Sequence, residues 1–262
     1  MLLKNEIVDC ARLSTLCYLD KEALHKCYTC DRPYNKDSYE LVFNTINKEP
    51  EYIECPESDC QVLVTEYKNH LIVNFRGTES KKDILTDLNM IKEKLILDGL
   101  PDAPYVHGGF LNQFLSVKES LDKRVTDKMS IIFCGHSLGG ALATIASLYY
   151  SFKHRDKLIK CITFGSPRVG DSYFAKLFNK TIVCSIRYVN DNDPVPCLPS
   201  AWRFKHVKGL RWLNEDIIQH EITAWRFYRF IKNSVLDIFG YGYNSLNDHS
   251  CNNYIKDIIS IQ

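Results

Sequence analysis

The sequence predicts an α/β fold: a mostly parallel central sheet with helices on both faces. Three observations carry this. Between positions 130 and 189, short β-branched and apolar runs alternate with amphipathic stretches, the order of a sheet whose strands are joined by helices. The run S-I-I-F-C at 130–134 is apolar on consecutive positions, as in strands covered on both sides. No repeat, linker or low-complexity tract divides the chain, so residues 1–262 read as a single domain.

The elements follow in order. Residues 2–18 place Leu3, Ile7, Val8, Cys10, Ala11, Ser14 and Leu16 on one side of a helix. From about 27 to 59 the chain holds Pro33, Pro50, Pro56 and many polar residues, which reads as loops with at most one short strand. The β-rich runs 62–67 and 70–75 flank Lys68 and Asn69 and predict a hairpin. Residues 83–97 alternate charged and apolar side chains at helical spacing, and 112–128 predict another helix. A buried strand at 130–134, an Ala-rich helix at 139–152, a strand at 158–164, a helix at 172–178 and a strand at 183–189 complete the alternation.

Composition narrows the function. With 45% hydrophobic residues the chain can bury a sizeable core. Its 33 basic and 32 acidic residues leave a net charge of +1, which gives no electrostatic reason to expect nucleic acid or acidic lipid as a partner. The 11 cysteines are an odd number, and Glu6 and Asp9 interrupt any apolar signal core near the N-terminus. Free thiols and a cytoplasmic, reducing location are therefore expected. Residues 131–152 carry no Asp, Glu, Lys or Arg and are long enough to span a bilayer. His136, Ser137, Gly139 and Gly140 within them favour a strand, a turn and a helix instead. Cys27, Cys30, Cys55 and Cys60 have spacings that can form a four-thiolate zinc set, weighed against plain loop cysteines. No metal or organic cofactor is required by the chemistry below.

G-H-S-L-G at 135–139 follows one predicted strand and opens the next helix. That context turns G-x-S-x-G into a nucleophile elbow, with Ser137 lifted to a helix N-terminus where developing negative charge is favoured. A serine needs a base, and with this elbow the acid and then the histidine follow in the chain. His154 lies in the charged run K-H-R-D and reads as surface; His220 lies in an amphipathic stretch; His206 lies in an alternating run read as a strand. His249, in a polar loop before the terminal helix, is the favoured base. Asp193 follows the strand at 183–189 and precedes Pro194, making it the favoured acid, with Asp191 as the alternative.

Several stretches together resemble the class 3 lipases. They are I-V-N-F-R-G-T ending at Thr78, V-H-G-G-F at 106–110, G-H-S-L-G-G-A-L-A at 135–143, F-G-S-P-R-V-G at 164–170, N-D-P-V-P-C-L-P at 192–199 and D-H-S at 248–250. They stand in the family's order over roughly 62–254. The resemblance implies an α/β-hydrolase fold and a triad of Ser137, Asp193 and His249. It also implies an oxyanion hole from the backbone N–H groups of Leu138 and Thr78, helped by the Thr78 hydroxyl. His107 and His206 fall in family motifs away from the base position and are read as structural. After the R-G-T turn the family carries a lid; here that segment is 80–88, where Ile84, Leu85 and Leu88 share one face. An ordinary amphipathic surface helix is the alternative.

The expected activity is a lipase or esterase acting by acyl transfer on a lipid or ester substrate, with transient membrane or lipid-droplet contact. A phospholipase or small-ester hydrolase has the same machinery, since acyl selectivity lies in pocket shape. A silent lipase-like module binding lipid or protein is the alternative from another class. Residues 217–243, with Trp225, Phe227, Tyr228, Phe230, Ile231 and Phe239 among Arg226, Arg229 and Lys232, read as a variable insertion that packs in the core, lies on a membrane or lines an acyl pocket.

Overall fold

A computed structural model of the chain describes residues 4–29, 46, 49–78, 91–125, 130–190, 193–214, 217–219 and 248–260. Ten strands are present among them. They are β1 (Glu51–Cys55), β2 (Cys60–Tyr67), β3 (His70–Phe75), β4 (Lys92–Lys94), β5 (Tyr105–His107), β6 (Ser130–His136), β7 (Leu158–Phe164), β8 (Cys184–Asn190), β9 (Leu210–Asn214) and β10 (Ile217–Gln219). The helices are α1 (Lys4–Leu16), α2 (Lys21–Thr29), α3 (Gly108–Asp122), α4 (Leu138–Lys153), α5 (Ser172–Thr181) and α6 (Cys251–Ser260).

Eight strands form one sheet in the order β1-β2-β3-β6-β7-β8-β9-β10, and β4 pairs with β5 separately. The middle run β3-β6-β7-β8-β9 is parallel and both ends are antiparallel. The β2–β3 hairpin closes on the pair Tyr67↔His70, as the sequence predicts.

β6 is buried along its whole length, and its side chains alternate between two cores. Ile131 and Phe133 pack with Phe114 of α3 and Leu142 and Tyr150 of α4; Ile132 and Cys134 pack with Cys10 and Leu13 of α1 and Tyr254 of α6. This double cover is why the strand reads as an unbroken apolar run. No helix of the described residues is long and apolar enough to cross a membrane, and residues 131–152 form β6, the turn and α4.

Four expectations change. Residues 27–59 were expected to be irregular, yet α2 runs to Thr29; the Asp20 carboxylate accepts from the Ala23 N–H at 2.7 Å and starts the helix. The described part of 83–97 is strand β4 rather than helix, because β5 offers its backbone a ladder (Lys92↔His107, Lys94↔Tyr105) that outweighs the helical spacing. The helix expected at 112–128 begins at Gly108, capped by His107 Nδ1 accepting from the Phe110 N–H, and ends at Asp122. His206 lies in a loop: its neighbour Lys205 makes only an isolated bridge to Gly170, and β9 starts at Leu210. The lid residues Ile84, Leu85 and Leu88, together with Asp191, His220 and residues 220–243, lie outside the described residues.

Candidate active site

The turn between β6 and α4 holds Ser137 at φ 57° and ψ −128°, a strained conformation for a residue with a side chain. The Ser137 N–H donates to the Phe164 carbonyl at 2.9 Å, tying the turn to β7. Flanking glycines make the bend sterically possible: a Cβ on Gly139 would lie 2.1 Å from the Phe75 carbonyl oxygen, and one on Gly135 2.4 Å from Gly139. Ser137 is fully buried.

The loop before α6 brings His249 over this turn. His249 Nε2 lies 2.8 Å from Ser137 Oγ, and Nδ1 lies 3.0 and 2.9 Å from the two oxygens of Asp193. A carboxylate accepts, so Nδ1 carries the proton and Nε2 is free to accept from the serine hydroxyl. Asp193 reaches its place from the end of β8, where its Oδ1 also accepts from the Val195 N–H at 2.9 Å. Gly165, at φ +60°, leaves room for the pair: a Cβ there would sit 2.8 Å from Asp193 Oδ2 and 3.1 Å from the His249 ring.

The structure thus brings Ser137, His249 and Asp193 into one buried chain of hydrogen bonds. Leu138 is the first residue of α4, so its N–H sits at the helix N-terminus beside Ser137. Thr78 follows Gly77, whose backbone lies over the turn; a Cβ on Gly77 would be 3.1 Å from Ser137 Cβ. Of the other downstream histidines, His154 is half-buried with its ring stacked on Tyr150.

His206 Nε2 donates to the Pro196 carbonyl at 2.6 Å. Burial, and then the nearby Arg187 and Arg168 cations, hold its pKa well below the usual imidazole value, so it stays neutral. Arg168, from the S-P-R-V-G stretch, donates to the Cys197 and Pro199 carbonyls. Together they fix the loop that carries Asp193.

Three residues that sequence reasoning missed, Tyr254, His136 and Tyr18, support the site. The Tyr254 hydroxyl donates to Asp193 Oδ2 at 2.5 Å and accepts from the Asn190 N–H at 2.9 Å. Burial, reinforced by the Asp193 charge, raises its pKa well above the ordinary phenol value. His136 spans two elements: Nε2 lies 2.7 Å from the His249 carbonyl and Nδ1 2.8 Å from the Tyr18 hydroxyl. A carbonyl cannot donate, so Nε2 bears the proton and Tyr18 donates to Nδ1. The His136 and His249 rings are also packed, with centroids 4.6 Å apart. The sequence signal was weak in each case. Tyr254 shares a helix face with Cys251, Ile255 and Ile258, which reads as core.

For metals, among the described residues no group of three or more His, Cys, Asp or Glu side chains can hold an ion. Cys55 and Cys60 are cross-strand partners and Cys27 is in α2, while Cys30 lies outside the described residues.

The buried Ser–His–Asp chain is the arrangement of an acyl-transfer enzyme, and comparison with known proteins gives it a family. The class 3 lipase model matches residues 72–202, half of the chain. A secreted mono- and diacylglycerol lipase of Fusarium solani is 27% identical over 171 residues, 62% of this chain and 50% of that protein. A chloroplastic phospholipase A(1) of Arabidopsis thaliana is 31% identical over 155 residues, 51% of this chain and 34% of that protein. The chain therefore spans half or less of the length of these relatives. The native propeptide complex of Rhizomucor miehei lipase superposes with a TM-score of 0.69 at 25% identity, covering 81% of this chain and 68% of that one. The fold is that of the α/β-hydrolase lipases, and the chain belongs to the class 3 lipase family.

Proposed function

We propose that the chain hydrolyses carboxylic esters of lipids by acyl transfer through Ser137. The observation that carries this is the unbroken relay from Ser137 Oγ through the His249 ring to the Asp193 carboxylate, sealed from solvent. Ser137 Oγ attacks the ester carbonyl while His249 Nε2 takes its proton. Asp193 holds the imidazole tautomer and stabilises the imidazolium. The N–H groups of Leu138 and Thr78 stabilise the oxyanion, each such donor being worth about 3–4 kcal/mol at the transition state. His249 then protonates the departing alcohol, and water releases the fatty acid from the serine ester.

Acylglycerols are the substrate class we assign, guided by the acylglycerol lipases among the relatives; a phospholipid is the second candidate, guided by the plant phospholipase. A reducing, cytoplasmic location is the one we assign, since 11 cysteines are an odd number and cannot all be paired within the chain.

The test is hydrolysis of p-nitrophenyl esters of graded chain length, then of mono-, di- and triacylglycerols and phosphatidylcholine, with Ser137→Ala as control. The expected result is turnover that rises with chain length and falls by at least about 10⁴-fold in the control. No turnover by the wild type, or full turnover by Ser137→Ala, overturns the proposal.

A further inference from the structure

Arg187 is a buried cation with nothing to hold. On β8 it stands between Thr163 of β7 and Leu210 of β9, and only 7% of it is exposed. Its backbone N–H donates to the Gly209 carbonyl at 2.8 Å. Its side chain has no such tie: Nε is buried without a hydrogen-bond partner, and the guanidinium makes no hydrogen bond or ion pair with a described residue. A guanidinium carries five donors and a permanent charge, and such a group is rarely buried unless it is paired.

The neighbours increase the deficit. Arg168 is 9% exposed and donates from Nη1 to the Cys197 and Pro199 carbonyls. His206 donates from Nε2 to the Pro196 carbonyl. These carbonyls belong to one loop, residues 194–206, so both side chains are committed to holding it. Burial, and then the Arg168 charge, press the Arg187 pKa down to about 10, which leaves it cationic at neutral pH. Tyr254 and Cys197 face it, but both are uncharged there: burial pushes the thiol up to about 11 and holds the phenol well above its ordinary value. Asp193 acts on Cys197, yet its two oxygens already accept from His249, Tyr254 and the Val195 N–H. Among the described residues, two buried arginines therefore share this space with a neutral imidazole, a neutral thiol and no uncommitted carboxylate.

We propose that Arg187 and Arg168 bind a small inorganic anion between β8 and the 194–206 loop, chloride being the occupant we assign. The Arg187 Nε–H is its buried donor, and Arg168 supplies the second charge. A hydrogen bond to an ionised partner is roughly twice as strong as a neutral one, and an anion between two guanidinium groups replaces their repulsion with attraction. A monatomic ion accepts from any direction, so it needs neither the room nor the paired donors that a phosphate or a carboxylate takes. Bound there, it fastens the sheet to the loop that carries Asp193. The site is independent of the hydrolase reading and stands whether or not the chain turns over esters.

The test is thermal unfolding of the whole chain at constant ionic strength, with sodium chloride exchanged stepwise for sodium gluconate, whose anion is too bulky for the site. The wild-type Tm should rise saturably with chloride, by about 5–11 °C at a hundredfold excess over Kd. Arg187→Met puts an apolar chain of similar length in place of the charge. It should lose the chloride response and, in gluconate, unfold at or above the wild-type Tm, because removing an unpaired buried cation is neutral or stabilising. Chloride-35 line broadening by the wild-type protein, relieved by bromide, reads occupancy directly and needs no variant. A wild-type Tm equal in the two salts, without line broadening, overturns the site. So does a chloride response that Arg187→Met retains, which is a general salt effect, or an Arg187→Met protein that unfolds well below wild type in gluconate, which means that the guanidinium has a partner within the chain. A response to phosphate in place of chloride overturns the halide assignment.

Discussion

Tyr254→Phe separates what holds the site together from what lowers the barrier. The hydroxyl is completely buried and serves two partners, Asp193 Oδ2 at 2.5 Å and the Asn190 N–H at 2.9 Å. Phenylalanine fills nearly the same volume, so packing is preserved while both hydrogen bonds go. Losing a bond to a charged acceptor costs about 1.5–3 kcal/mol, and a buried N–H left without a partner costs about 1–3 kcal/mol. The two losses share one atom and are not fully additive, so roughly 2–4 kcal/mol of stability should disappear. For a chain of this size that lowers Tm by roughly 4–16 °C.

The rate should change far less. Asp193 accepts from Tyr254 both before and during attack, so the bond is nearly uniform along the reaction, and uniform interactions do not lower the barrier. The carboxylate also keeps His249 and the Val195 N–H. The expected kcat/KM loss is below about tenfold, against about 10⁴-fold for Asp193→Asn, which removes the charge facing the imidazolium. Thermal unfolding and ester kinetics on the same preparation decide it. A Tyr254→Phe enzyme with an unchanged Tm and a rate reduced more than a hundredfold would refute the reasoning.

Three further outcomes are expected. Gly165→Ala places a methyl 2.8 Å from Asp193 Oδ2 at φ +60°, so ester turnover should fall about a hundredfold with about 1–2 kcal/mol of stability lost; an active, stable variant contradicts the packing argument. His136→Ala should lower kcat/KM about tenfold or more by releasing the His249 carbonyl, and His136→Gln, which keeps a donor, should recover part of it; equal rates for all three proteins would remove His136 from the site's support. His206 has a folded pKa well below 6.5 because burial and two arginines oppose its charge, so on acidification the unfolded chain binds a proton that the folded one refuses. Stability should therefore fall as pH drops below about 6.5, with a slope of up to about 1.4 kcal/mol per pH unit that flattens in His206→Gln, read from Tm against pH.

What the sequence made legible follows from where each constraint acts. The elbow is local: the Gly135 and Gly139 flanks, the apolar strand before and the Ala-rich helix after lie within one continuous stretch, and the crowding at Phe75 explains why side chains are missing there. The β2–β3 hairpin is local for the same reason. By contrast, β4 forms only because β5 lies beside it, so its helical spacing was a poor guide. The α2 start was within reach of local reading, since Asp20 caps it, but the proline-rich stretch that follows drew the boundary too early.

The supports of the site belong to the non-local class, and that accounts for their invisibility. Tyr18 meets His136 across 118 positions, and Tyr254 meets Asp193 across 61. Tyr254 sits where helix periodicity alone assigns it to packing, and Tyr18 lies in the turn after α1 with its ring edge-on to His136; in both, the hydroxyl does the second job. One consequence is that α1 and α6, which carry none of the reacting groups, set the positions of two of them. α6 holds Asp193 directly through Tyr254, and the turn after α1 holds the His249 carbonyl through Tyr18 and His136. α1 and α6 share one buried cluster, where Cys10, Leu13, Tyr254 and Ile258 pack together. Weakening that cluster should therefore loosen the imidazole and the carboxylate together, even though no atom of the relay is touched.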